Sequence, residues 1–379
     1  MGESYPGGRS AGRDHTVLRW LLATLVAAVV SFAAIVLVLH GGADPSPATS
    51  NASLRCDPVR TPNGDIGRVV EGTVSTGDAL RSYRLTLPPT YDGRRPVPLV
   101  ILLHGTSGTV DDIEAYTDMP AVAGQRGYAV LTPQGIGPAD GTLPIHWTVP
   151  GFDGPGSPDD VAFVSGLVDT VTTAYCVDAS RVFATGISGG AAFATVLACR
   201  TDLLAGIAPV AGFNLVPPCE NARPLTVVAV HGSSDALVAY DGIALPEPTP
   251  LDPPTPSDPA TPSDPATASA STAAELAAFG SPFYNGPIVD DIARWAAAFG
   301  CSTQTGGQPA ADVTSTTFTG CRDDVTVSLV TVTDGGHTWP GGTTVPPDLG
   351  YQTESIAATT VLLDAFDAAV SRGVVVRGY

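Results

Sequence analysis

From Arg81 onward, short apolar runs alternate with stretches whose apolar positions recur at helical spacing. That alternation is the signature of a mostly parallel central sheet with helices on both faces, an α/β fold. "PLVILLHG" (98–105) is a continuous apolar run closed by glycine, the form of a strand buried on both faces. "YAVLTP" (128–133), "RVFATG" (181–186), "GIAPVAG" (206–212), "LTVVAVHG" (225–232) and "VTVSLVTV" (325–332) repeat it. Between and after them the spacing predicts helices near 111–125, 158–175, 189–199, 288–299 and 355–370. The second of these reads as starting on Ser157 as N-cap, with Pro158 at the first helical position and Asp160 completing a capping box.

Two segments break the alternation. Trp20 to Leu39 is apolar and uncharged, and at ~1.5 Å per residue it reaches about 30 Å, the thickness of a bilayer's hydrocarbon core. Arg9, Arg13 and Arg19 precede it, so residues 1–19 are expected in the cytoplasm and everything past the 20–39 anchor outside. The other reading is a signal peptide cleaved near Gly41-Gly42-Ala43, and both export the C-terminal bulk of the chain. Residues 40–54, ending in "PSPATSNASL", read as a flexible stalk, and 55–379 as the folded domain. Within that domain, 244–280 carries a tandem TPSDPA repeat. Proline at that density bars helix and central strand, so a disordered or polyproline-like insertion is expected there.

Composition narrows the class. A 379-residue chain with 44% hydrophobic and 15% charged residues can build a sizeable core. Its net charge of −19 disfavours nucleic acid as a partner and leaves the N-terminal segment as the one expected membrane contact. Every Lys+Arg position is arginine, which excludes a lysine nucleophile or Schiff base. Export makes Cys56, Cys176, Cys199, Cys219, Cys301 and Cys321 a candidate disulfide framework. No CxxC occurs and no histidine neighbours a cysteine pair, so neither a metal site nor another cofactor is expected. Pairing sequence neighbours gives Cys199–Cys219 and Cys301–Cys321 and leaves Cys56–Cys176, though other connectivities stay open.

The candidate chemistry sits in "VFATGISGGAAFATVLAC" (182–199), where Gly186, Gly189 and Gly190 surround Ser188 at a strand-to-helix corner. G-x-S-x-G in that context is a nucleophile elbow: the tight turn lifts the hydroxyl above the sheet and leaves no room for side chains at the flanking glycines. A serine needs a base. His15 and His40 flank the apolar anchor, His104 and His231 end buried strands and read as structural, and His146 lies in a loop without a strong signal. His337 remains, in "TVTDGGHTWPGG" after the last strand. Among the aspartates between Ser188 and His337, Asp235 follows "TVVAVHGSS" and so falls at the carboxyl end of a buried strand. Asp290 and Asp291 fall on a helix and read as solvated. The N–H groups of Gly189 and of Thr106, in "HGTSG", are the expected oxyanion donors.

With these pieces placed, the chain resembles the esterase/polyhydroxybutyrate-depolymerase branch of the α/β-hydrolases, which includes feruloyl and acetylxylan esterases. The resemblance rests on "VILLHG", "YAVLTPQG", "YCVDASRVFATGISGGAAFATVLAC", "IAPVAG", "VHGSSDALVAYDG", "WAAAFGC" with "FTGC", and "GGHTWPG". It implies a serine ester hydrolase with Ser188, Asp235 and His337 as triad, and it favours the Cys301–Cys321 pairing. Trp147 and Trp339 are expected either to wall a site for sugar or phenolic acyl groups or to anchor loops. Feruloyl or acetyl esters of polysaccharide are the first substrate expectation and polyhydroxyalkanoate the second. A catalytically silent surface binding protein is the reading from another class.

Overall fold

Runs of Val, Ile, Leu and Ala too short for helices and apolar on both faces become central strands, because only a sheet covered on each side removes all of that surface from water. The computed structural model describes Cys56 and residues 68–77, 79–137, 144–149, 153, 157–219, 221–243, 284–343 and 347–373. The expected anchor (20–39), the stalk before Cys56 and the insertion 244–280 lie outside the described residues. Among the described residues no helix is long and apolar enough to cross a membrane.

Ten strands among the described residues form one sheet in the order β1-β2-β4-β3-β5-β6-β7-β10-β9-β8. They are β1 (Val69–Thr76), β2 (Ala79–Thr86), β3 (Val97–Leu103), β4 (Ala129–Pro133), β5 (Val177–Ile187), β6 (Gly206–Val210), β7 (Thr226–Gly232), β8 (Thr303–Ala310), β9 (Val313–Thr319) and β10 (Val327–Val332). The centre, β4-β3-β5-β6-β7-β10, is parallel throughout. Antiparallel strands extend both flanks. Helices α1 (Val110–Thr117), α2 (Met119–Gln125), α3 (Asp160–Ala174), α4 (Gly189–Arg200), α5 (Ile288–Ala298) and α6 (Ala358–Ser371) accompany it. The chain runs from β3 to β4 on one side, then crosses to β5 on the other. That reversal opens a crevice at the carboxyl ends of β3 and β5, where open α/β sheets receive ligands.

The flanking strands escape the apolar-run pattern for a physical reason. β1 alternates exposed and half-buried residues, and β8, "TQTGGQPA", is exposed along nearly its whole length. Their stability comes from ladder hydrogen bonds to a neighbour rather than from a buried face. The helix expected over 111–125 is two. Thr109 and Asp112 form a capping box on α1, and Asp118 then turns left-handed (φ 50°, ψ 21°) before Met119 and Pro120 open α2.

The expected cap of α3 is displaced by two residues. Asp159 is the N-cap and accepts from the Ala162 N–H at 2.9 Å. Asp160 turns inward instead, paired with the buried Arg81 at 2.7 Å and accepting from the Thr148 N–H at 2.7 Å. Three disulfides join Cys56–Cys176, Cys199–Cys219 and Cys301–Cys321.

Asp291 corrects a second expectation. It lies on α5 but is 1% exposed, not solvated. The Tyr284 hydroxyl donates to its Oδ1 at 2.5 Å, while Oδ2 is buried without a partner. Burial outweighs the help from Tyr284 and Arg294 and pushes the carboxyl up to about 6. A carboxyl raised on folding binds more protons in the folded chain than in the unfolded one. Its contribution to stability therefore falls as pH rises from about 4 through 6. Asp291→Asn is accordingly expected to gain on the wild type in urea-unfolding free energy between pH 4 and 7; a constant difference across that range would contradict it.

On either side of the insertion the chain comes back to itself. The Ile243 N–H donates to Asn285 O at 3.0 Å, and the Ile288 N–H to Tyr240 O at 3.0 Å.

Candidate active site

The sequence candidates gather at one edge of the sheet because each follows the carboxyl end of a parallel strand: Thr106 after β3, Ser188 after β5, Asp235 after β7 and His337 after β10. Ser188 sits at φ 57°, ψ −123°, a backbone conformation costly for any residue with a Cβ. Its N–H donates to Val210 O at 3.0 Å, which ties the turn to the adjoining strand. The neighbouring glycines are required by close approach. A Cβ at Gly190 would stand 2.5 Å from His104 O, and one at Gly186 would stand 2.9 Å from the Gly190 carbonyl carbon. β3, β5 and the start of α4 thus pack backbone against backbone.

His337 and Asp235 meet. His337 Nδ1 lies 2.8 Å from Asp235 Oδ2, with both residues nearly buried. The loops that carry them are interlocked: the Ser234 N–H donates to Gly335 O at 2.8 Å, and a Cβ at Gly232 would stand 2.5 Å from Gly336 O. The His337 N–H donates to Leu349 O at 2.7 Å, and the Tyr116 hydroxyl takes the Trp339 N–H at 2.8 Å. The second Asp235 oxygen accepts the Leu237 and Val238 N–H groups at 2.9 and 2.8 Å. Burial alone would raise this carboxyl. Hydrogen bonds from His231 and His337 overcome it and hold the group well below the usual carboxylate range, so it is ionised. Ser188 Oγ is not among the hydrogen-bond partners of His337 in the described residues.

On the other side of Ser188 stand the candidate amides of Thr106 and Gly189, Thr106 N lying 3.5 Å from where a Cβ of residue 189 would be. His104 controls the first of them. The Gly135 N–H donates to its Nε2 at 2.9 Å, so Nδ1 carries the hydrogen and donates to Gly105 O at 2.8 Å. The Gly105–Thr106 peptide is planar, so holding the carbonyl to one side aims the Thr106 N–H to the other. Burial lowers the His104 pKa and keeps this imidazole neutral. Gln134 contacts the same ring at 3.0 Å.

Both tryptophans are buried and hydrogen-bonded to neighbouring segments. Trp147 is 1% exposed, stacks on Phe193 at 5.0 Å between centroids, and donates its indole N–H to His104 O at 2.9 Å. Trp339 is fully buried and donates to Thr359 Oγ1 at 3.0 Å. His146 pairs with Asp153 at 2.7 Å, and this hydrogen bond, ahead of opposing burial, raises its pKa. The backbone beside it is fastened to the 105–108 turn, the Ser107 N–H donating to Ile145 O at 2.7 Å. Among the described residues no group of His, Cys, Asp and Glu could hold a metal ion. His104 and His231, which read along the chain only as strand-end residues, both touch the site. The signal for them is the repeated His-Gly step after two apolar strands, a polar ring placed where the sheet meets the site.

Residues 81–214 match the model of the family described as Esterase PHB depolymerase. "Putative esterase NocK" of Nocardia uniformis subsp. tsuyamanensis is 32% identical over 342 residues, 86% of this chain and 90% of that protein. Feruloyl esterase D of Neurospora crassa is 28% identical over 171 residues, 44% of this chain and 57% of the relative. The solved acetyl xylan esterase from Aspergillus awamori is a looser likeness, with TM-score 0.47 and 14% identity over 79% of this chain and 99% of that one. On the family match and the near full-length similarity to the Nocardia protein, the chain belongs to the esterase/polyhydroxybutyrate-depolymerase family of carboxylic ester hydrolases.

Proposed function

We propose that the chain is an extracytoplasmic serine esterase that hydrolyses feruloyl or acetyl esters of polysaccharide through an acyl-enzyme. Ser188 Oγ attacks the ester carbonyl while His337 Nε2 takes its proton, and Asp235 holds the imidazole with hydrogen on Nδ1. The N–H groups of Thr106 and Gly189 receive the oxyanion. His337 then returns the proton to the leaving alcohol, and water repeats the sequence on the acyl group.

The observation that carries this reading is the buried 2.8 Å contact of His337 with Asp235, on the sheet edge that also bears Ser188. Ser188 and His337 close to hydrogen-bonding distance in the substrate complex, as catalytic contacts that are long in the free enzyme commonly do. The disulfides fit an oxidising compartment outside the cytoplasm. Export is supplied by the 20–39 segment, acting as an anchor or a cleaved signal. Feruloyl esterase D among the similar proteins supports the feruloyl group named.

A polyester substrate is the second reading, favoured by the description of the matching family. Turnover by the exported part of the chain should decide. Faster hydrolysis of methyl ferulate or acetylated xylan than of hydroxybutyrate oligomers is expected. The reverse order would move the assignment to polyester, and no turnover of any of them would move it to another acyl class.

A further inference from the structure

A second imidazole lies on the Asp235 carboxylate. His231, the penultimate residue of β7, is 1% exposed. Its Nε2 faces two acceptors, Val238 O at 2.8 Å and Asp235 Oδ2 at 3.4 Å. Neither an ionised carboxylate nor a carbonyl can donate, so Nε2 carries the hydrogen. Nδ1 is buried and has no partner. His104, at the end of β3, spends both ring nitrogens on its surroundings. His231 spends one, and spends it partly on the oxygen that His337 also uses.

We infer that His231 is a positioning residue for the hydrolytic centre, sharing Asp235 Oδ2 with His337 and thereby limiting how much of the carboxylate's charge faces that imidazole. The inference rests on the assignment of Ser188, His337 and Asp235 as the reacting set. A carboxylate oxygen that accepts two hydrogen bonds presents less charge to each donor. With Leu237 and Val238 on Oδ1, Asp235 has a donor in each of four directions, so its plane is fixed as well as its charge shared. The 231–238 segment is closed by the same contact, because Nε2 bridges from the strand to Val238 O.

Among the described residues, the other groups facing His231 leave Asp235 as its one charged partner. Tyr240 approaches edge-on at 5.9 Å between ring centroids and shares a hydrogen bond with Thr331 Oγ1 at 2.8 Å. β10 sets Thr331 opposite His231 in register, and β6 contributes only Gly, Ile, Ala, Pro and Val. The acidic residues of α6, which packs on β7, include Asp364 and Asp367, both paired with Arg126.

His231→Leu removes the shared donor while keeping the site apolar and filled. Concentrating charge on Asp235 stabilises the His337 imidazolium, so the acid limb of the kcat/KM profile is expected to move upward, by roughly half a unit to one unit. His231→Gln, whose amide can donate from a similar position, should return the limb toward the wild-type pH. A folded His231→Leu enzyme with the wild-type acid limb would overturn the inference. A readout independent of variants is the tautomer of His231 in the wild type, from nitrogen-15 NMR of the imidazoles. Hydrogen on Nε2 at neutral pH is expected, and hydrogen on Nδ1 would overturn the inference whatever the activity. A wild-type protein that turns over no ester and forms no adduct at Ser188 would overturn the hydrolase assignment with it, whereas normal activity beside an unmoved limb would remove the His231 role alone.

Discussion

Ser188→Ala is expected to lower kcat by about 10⁶ and to abolish labelling by a fluorophosphonate, with the folded structure retained. The effect is large because in the proposed mechanism the serine supplies the bond-forming atom, and no other hydroxyl sits on the same strained turn. Alanine accepts the backbone at φ 57° no worse than serine does, so circular dichroism and melting temperature should stay near wild type. Asp235→Asn should lose about 10⁴ by leaving His337 in the wrong tautomer. The double variant should lose little more than Ser188→Ala alone, since groups that act as one unit do not add. A Ser188→Ala protein that keeps a tenth of wild-type turnover, or that is still labelled at the site, would refute the nucleophile assignment.

The largest expected effect on stability is at Asp160. Asp160→Ala leaves the Arg81 guanidinium buried without its counter-charge, and breaking such a pair from one side costs about 3–5 kcal/mol. The remaining contacts of Arg81, donation to Gln134 O at 3.1 Å and the face of Phe163 at 4.0 Å, hold the stem but do not neutralise the charge. Replacing both partners by apolar residues, as in Arg81→Met with Asp160→Leu, should recover much of the loss. Urea unfolding checks both, and a single variant within about 1 kcal/mol of wild type would show that the pair is not buried in solution. Activity should fall along with stability in Asp160→Ala. The lost carboxylate also held the Thr148 N–H, next to Trp147, whose indole holds His104 O at the base of the turn that carries Thr106.

These two cases mark what can be read along the chain. Ser188, Asp235 and His337 each follow an apolar run that must be a buried strand, so the rule that ligands meet such sheets at strand carboxyl ends selects them with no knowledge of contacts. The glycines around Ser188 are readable for the same reason, since backbone packing leaves a mark in residue type. Asp160 and Asp291 escape such a reading because a carboxylate in a helical stretch looks alike whether it meets water or a distant partner. Its burial is decided by Arg81 in one case and by Tyr284 in the other. β1, β2, β8 and β9 escape it because polar strands on a sheet's flanks carry no apolar run. His231 is legible as a strand-end residue, but its bond to Asp235 Oδ2 is not, because that depends on how tightly the next seven residues turn.

The hydrogen bond between Ile243 and Asn285 has a practical reach. It brings the two ends of the intervening polypeptide within one hydrogen bond of each other. A reporter domain whose own termini lie close together could therefore be spliced in between Ile243 and Asn285 with that contact kept.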